Sequence, residues 1–189
     1  MSAGTARPRS GLFADPRPIE ALGDLFANVW QVCYVTPDLD RGMKELREFF
    51  GIENSTEVPT EGASFTKDGG QLQWDVRVAM GARGGLIVEL IEPIAGEVDF
   101  YRQALPQGDG SVLGFHHLAM LVPLGDEAWS SVEKVLGENE MSFEYTILIP
   151  ERARLAYVDT RAQLGHWIEL CQLEKADTDF FSGLIADSA

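Results

Sequence analysis

The sequence predicts an α+β fold built as two tandem βαβββ modules, and two echoes within it carry that prediction. VWQVCYVTPDLD, from Val29, and GFHHLAMLVPLGDE, from Gly114, each read as a strand entering a short turn and then an amphipathic helix. After a similar interval each is followed by a second echo, IVELIEP around Glu89 and WIELCQLE around Glu169. The composition agrees with a folded chain: 189 residues with 45% apolar and 24% charged side chains bury one good core.

Residues 1–26 open with MSAGTARPRSGLFADPRP, rich in Pro, Gly, Arg and small residues, and are expected to form a flexible arm. The first module is placed at 27–95. Ala27 to Val35 alternate and are rich in Val, Trp and Tyr, so Gln31, Cys33 and Val35 share one strand face and Trp30, Val32 and Tyr34 the other. Pro37 stops the strand and Asp38 offers an N-cap; Leu39, Met43, Leu46 and Phe50 then recur at helical spacing until Gly51. Strands are expected at Ser64 to Phe65, Gln71 to Met80 and Leu86 to Ile91, with Gly69-Gly70 and Gly81 to Gly85 as turns.

A linker at 96–113 contains a short helical stretch, Val98 to Leu105, and then the hinge-like PQGDG. The second module, 114–173, repeats the order. Its strand from Phe115 to Val122 precedes a helix from about Asp126 that carries Trp129, Val132 and Leu136 on one face. Strands around Phe143 to Ile149, Arg154 to Asp159 and His166 to Leu170 complete it. Residues 174–189 are expected to form a C-terminal helix or tail that packs Phe180, Phe181 and Leu184 back on the body.

A formal net charge of −15, with no basic stripe, repels nucleic acid and anionic lipid, so neither is an expected partner. No apolar run approaches the roughly 20 residues that cross a bilayer, and the first residues lack the apolar middle of a secretory signal. Cys33 and Cys171 are too few and too far apart for a disulfide framework or a thiolate zinc site, which makes a reducing cytoplasm the default.

The repeat places one ligand-capable residue at the same point of each echoed strand: Gln31, Glu89, His117 and Glu169. Taken singly, a histidine on an apolar strand is more often a hydrogen-bonded core residue, and a glutamate near a strand end is usually solvated. Together they say more, because Glu89 and Glu169 stand in otherwise apolar strands where an unpaired carboxylate is costly to bury. A metal ion would resolve that cost. By strand parity His116 should face away from His117 and act as a packing residue, as should His166 relative to Glu169. Cys33 and Cys171 fall at the edge of the site as small buried hydrophobes.

A duplicated βαβββ unit with these echoes, from about Val29 to Leu173, resembles the vicinal oxygen chelate superfamily of glyoxalases, bleomycin-resistance proteins and dioxygenases. The resemblance implies an open half-barrel cleft with a divalent ion on its floor. Its ligands would be Gln31 and His117 from the first strands and Glu89 and Glu169 from the last. The order Gln, Glu, His, Glu is similar to one form of glyoxalase I, and zinc, cobalt, nickel or manganese would suit it.

YVDTRAQLGHWIEL resembles the closing hairpin of the methylmalonyl-CoA epimerase-like branch, although those epimerases carry His where this chain has Gln31 and Gln where it has Glu89. Such a site implies an isomerase, epimerase or lyase that removes a proton beside a carbonyl, with Glu169 and then Glu89 as candidate bases. The substrate would be a small carbonyl compound, an acyl-CoA thioester among the options, and a homodimer is the assembly left open. A drug-binding protein of the bleomycin-resistance type is the alternative. Ring-cleaving dioxygenase chemistry fits less well, since it calls for two histidines and only His117 qualifies.

Overall fold

In a computed structural model, residues 13, 15–60, 62–108 and 110–188 are described. They form one ten-stranded sheet. The first half contributes β1 (Val29–Val35), α1 (Leu39–Phe50), β2 (Thr56–Val58), β3 (Ala63–Thr66), β4 (Gln71–Leu72), β5 (Trp74–Arg83) and β6 (Leu86–Gly96). After α2 (Asp99–Arg102), the second half contributes β7 (Gly114–Leu121), α3 (Asp126–Glu138), β8 (Phe143–Ile149), β9 (Ala153–Val158), α4 (Arg161–Leu164) and β10 (Trp167–Leu173), and α5 (Lys175–Ala186) ends it.

The strand order is β2-β5-β6-β1-β7-β10-β9-β8-β3-β4. At its centre β1 and β7 run antiparallel, each with a parallel partner on its far side, β6 beside β1 and β10 beside β7. Four strands on one side of the β1/β7 seam thus mirror four on the other. The β3–β4 hairpin belongs to the first half in sequence but adds to the free edge of β8. Only residues 59–62 connect β2, at one end of the sheet, to β3 near the other. So short a connection forces the ends together, and the sheet curls into an open half-barrel.

Helices α1 and α3 each cover the convex face of their own half. Asp38 caps α1 by accepting from the Arg41 amide at 3.0 Å, and Gly51 ends it with φ 65°. Leu39 and Leu46 pack on Ala79, Val88 and Leu90, whereas Phe50, at the end of the expected stripe, is 60% exposed. On the other half, Trp129, Val132 and Leu136 of α3 pack on Met120, Ile168 and Leu170. Since Val88 and Leu90 face α1, parity turns Ile87, Glu89 and Ile91 to the concave side; Ile168 and Leu170 do the same for Trp167, Glu169 and Cys171.

Three expectations need correction. The second strand of the first half is Thr56–Val58, and the strand expected at Ser64 to Phe65 belongs to the hairpin on the opposite edge. The strand expected from Gln71 to Met80 breaks at Gln73, whose amide donates to the Glu97 carboxylate at 3.0 Å and whose carbonyl accepts from the Glu97 amide at 2.8 Å. Of the arm expected at 1–26, residues 1–12 and Ala14 lie outside the described residues. The rest is not loose: Ile19 and Leu25 are buried, Leu22–Asn28 form a 3-10 helix, and Phe13 packs edge-on to Trp30 at 5.5 Å. Asn28, fully buried, fastens this segment by bonding Arg17 through both side-chain atoms and the Leu121 carbonyl at 2.9 Å.

Candidate metal centre

The central strands bring Gln31, Glu89, His117 and Glu169 together on the concave side. Cys33 lies beside both Glu89 and His117 in the register, and Ala119 lies beside Glu169. The Gln31 Nε2 is 2.9 Å from Glu89 Oε2. His117 Nε2 stands between the carboxylates, 3.4 Å from Glu89 Oε2 and 3.4 Å from Glu169 Oε2. All four side chains are buried.

Two of their atoms, Gln31 Oε1 and His117 Nε2, are buried with no hydrogen-bond partner. A separation of 3.4 Å is long for a hydrogen bond. Donors that share one ion at about 2.1 Å stand about 3.0 Å apart at a right angle and about 3.4 Å apart at the tetrahedral angle. Two carboxylates and an orphaned imidazole nitrogen at the 3.4 Å spacing, with an orphaned amide oxygen on Gln31 beside them, fit a divalent ion. A second group of donors, Cys33, His116 and His117, lies within 4.8 Å of one another. In that group, however, the two imidazole Nδ1 atoms bond each other at 2.9 Å, which uses the lone pair an ion would need.

The charges are interlocked. Burial alone would raise the Glu169 carboxyl, but the charge of His117 opposite it and hydrogen bonds from Tyr157 and Cys171 outweigh burial and hold it below its usual range. Burial likewise pulls the His117 imidazole down, yet Glu169 and Glu89 together lift it to about 9. Burial, then the charge of Glu169, pushes the Tyr157 phenol well above its usual value, so it stays a donor; Tyr101 Oη lies 3.2 Å behind it. Cys33 and Cys171 are free thiols, both raised first by burial and next by Glu89 or Glu169 respectively.

The parity argument fails at one place in each half. Val29 and Gln31 of β1 face Met120 and Ala119, neighbours on β7, so Trp30 is an extra residue on its strand. In the same way Cys33 and Tyr34 face His117 and Phe115, which makes His116 an extra residue on β7. Such bulges re-aim side chains. Trp30 joins the concave cluster of Leu173 and Phe181, and His116, expected to turn away, brings its Nδ1 to His117 Nδ1. Two adjacent histidines at the entry of a repeated strand were the signal in the sequence.

Above the four residues lies a cavity of about 380 Å³ whose walls include Trp30, Met80, Leu155, Leu173, Phe180 and Phe181. A second lobe of about 200 Å³ reaches past Glu89 and Glu169 toward Trp74, Tyr101 and Tyr157. At the first lobe's mouth Arg152 donates to Asp177 of α5. Residues 30–139, more than half of the chain, match the family model of the glyoxalase/bleomycin resistance protein/dioxygenase superfamily. The chain belongs to this superfamily.

Solved structures agree with the membership at the level of the fold. A methylmalonyl-CoA epimerase from Mycobacterium tuberculosis is 16% identical, with 88% of this chain and 99% of that one covered at a TM-score of 0.57. A single-substitution variant of the Streptomyces coelicolor methylmalonyl-CoA epimerase, solved with 2-nitronate-propionyl-CoA, is 17% identical, with 76% and 95% covered at a TM-score of 0.50. No curated protein sequence matches the chain. Among the described residues of this superfamily member, no helix is long and apolar enough to cross a membrane.

Proposed function

We propose that the protein is a metal-dependent isomerase or epimerase, with glyoxalase-like lyase chemistry as the neighbouring case, that removes a proton beside the carbonyl of a small substrate. The observation that carries this reading is the convergence of Gln31, Glu89, His117 and Glu169, the first, second and fourth on the floor of an apolar cavity and His117 buried between the carboxylates, with Gln31 Oε1 and His117 Nε2 unpartnered. Those four residues would hold zinc, cobalt, nickel or manganese, and the ion would supply Lewis acidity to the substrate's carbonyl oxygen.

Glu169 is assigned as the base. The groups around it keep it ionised, and it borders both lobes of the cavity. Glu89 borders the same lobes from the opposite half of the molecule and is placed to return a proton to the other face. Trp30, Leu155, Leu173 and Phe181 seat the apolar part of the substrate and keep water from the carbanion that forms. An acyl-CoA thioester is the first substrate class to examine, since its acyl end suits the first lobe and the remainder would leave past Arg152 and α5.

Solvent exchange tests the proposal. Metal-loaded protein in D2O is offered methylmalonyl-CoA, a 2-oxoaldehyde–thiol adduct and an aromatic ketone, and the α-proton of one of them should exchange. Glu169→Gln should keep the metal, through its remaining oxygen, and lower exchange by about 10²-fold or more. Tight binding by the wild type with no exchange of any of the three would instead favour a binding protein of the bleomycin-resistance kind.

A further inference from the structure

We infer that His116 is a positioning residue, which fixes the tautomer of His117 so that the Nε2 lone pair points between Glu89 and Glu169. The argument is one of donors and acceptors. His116 Nε2 lies 3.1 Å from the Phe100 carbonyl oxygen, which can only accept, so the proton of His116 is on Nε2. Its Nδ1 is then a bare lone pair. That lone pair lies 2.9 Å from His117 Nδ1, which must therefore carry a proton and donate it. With Nδ1 holding a proton, Nε2 is the ring atom that faces the two carboxylates, at 3.4 Å from each, and it is the atom left without a partner and open to an ion.

The surroundings hold the relay in place. His116 is 1% exposed and its ring lies edge-on to Phe100 at 5.2 Å and roughly parallel to Trp167 at 6.4 Å. The bulge in β7 makes the contact available, because adjacent residues of a regular strand point to opposite faces. Among the described residues, no such relay stands behind Gln31, and an amide has no tautomer to choose.

The consequence for metal binding rests on the reading of His117 as a ligand; the proton's position does not. Nitrogen-15 NMR of the wild type, without metal and with Zn2+, should place a proton on His117 Nδ1 and detect a scalar coupling between the two Nδ1 nuclei across the hydrogen bond. Competition against a chelator should then find Zn2+ bound about 10- to 100-fold more weakly by His116→Leu. His116→Asn, whose side-chain oxygen can accept where Nδ1 did, should stay within about threefold of the wild type. An unprotonated His117 Nδ1 in the wild type overturns the inference, even if His116→Leu fails to fold. So does His116→Leu that binds Zn2+ as the wild type does. A wild type that binds no Zn2+ yet has the coupled Nδ1 proton would defeat the proposed metal site and leave the relay standing.

Discussion

Trp30 and His116 hold equivalent places in the two halves: each is the extra residue of a bulge in the strand at the central seam, and each immediately precedes a residue of the site. Their uses differ. Trp30 turns its ring into the cavity wall, 4.7 Å from Phe181, while His116 turns back to grip His117. The duplication therefore supplied one backbone device twice, and side-chain chemistry divided the work, with substrate contact in the first half and control of the site's imidazole in the second. The carboxylates follow the same division. Glu169 is braced by Tyr157 and Cys171 of its own half, whereas Glu89 accepts from Gln31 and faces His117 across the seam.

The comparison can be broken most severely at the entries of the two seam strands. Gly114 and Asn28 are equivalent, three residues before His117 and Gln31, but they hold their strands by opposite means. A Cβ on Gly114 would lie 1.8 Å from the Ala104 carbonyl oxygen, so Gly114→Ala must push two backbones apart. The expected cost is about 3 kcal/mol or more, read as a lower urea midpoint. Asn28→Ala instead leaves the Arg17 amide and two carbonyls to find other partners, and about 1–3 kcal/mol is expected. If Asn28→Ala proved the more damaging, the second entry would not be the tighter of the two.

A functional contrast sharpens the same picture with a smaller effect. Trp30→Phe keeps an aromatic ring on Phe181 while reducing the cavity wall, and should weaken binding of an apolar carbonyl ligand by roughly 10-fold, about 1.4 kcal/mol. Its Zn2+ affinity should match the wild type. Measured by titration calorimetry, loss of metal affinity in Trp30→Phe would show that the bulge residues do not divide the work as described.

Much of this organisation is legible in the sequence. The echo around Gln31 and His117, and that around Glu89 and Glu169, fixed which residues share a place, and the half-barrel brings all four together. What pattern could not supply was partner choice. Ser64 and Phe65 look like a strand of the first half, but alternation does not say which edge a strand will join, and they pair with Ile147 and Thr146. Parity also assumes a regular strand; one inserted residue reversed the facing of Trp30 and of His116. Arg17 and Ile19 sit in a Pro-rich run whose composition suggests mobility, while one distant side chain, Asn28, ties it down.

The helices extend the comparison to its smallest expected effect. α1 begins on Asp38, which accepts from the Arg41 amide, whereas α3 begins after Gly125 with no side-chain cap. Gly125 has φ 106° and ψ 153°, a conformation open in practice only to glycine, so the second half cannot adopt the first half's cap without strain. Its acidic first turn, Asp126 and Glu127, meets the unpaired amides by charge instead. Asp38→Ala should therefore cost about 1 kcal/mol, the usual worth of an N-cap, with Zn2+ affinity unchanged because α1 packs on the convex face away from the four site residues. Glu127→Gln should cost less, about 0.3–1 kcal/mol at low ionic strength, and that loss should shrink in high salt. Asp38→Ala, by contrast, should lose part of its stability at every salt concentration, because a hydrogen bond rather than a field has been removed. Equal salt dependence in the two variants would mean that Asp38 acts mainly as a charge, and that the two helices start by the same means after all.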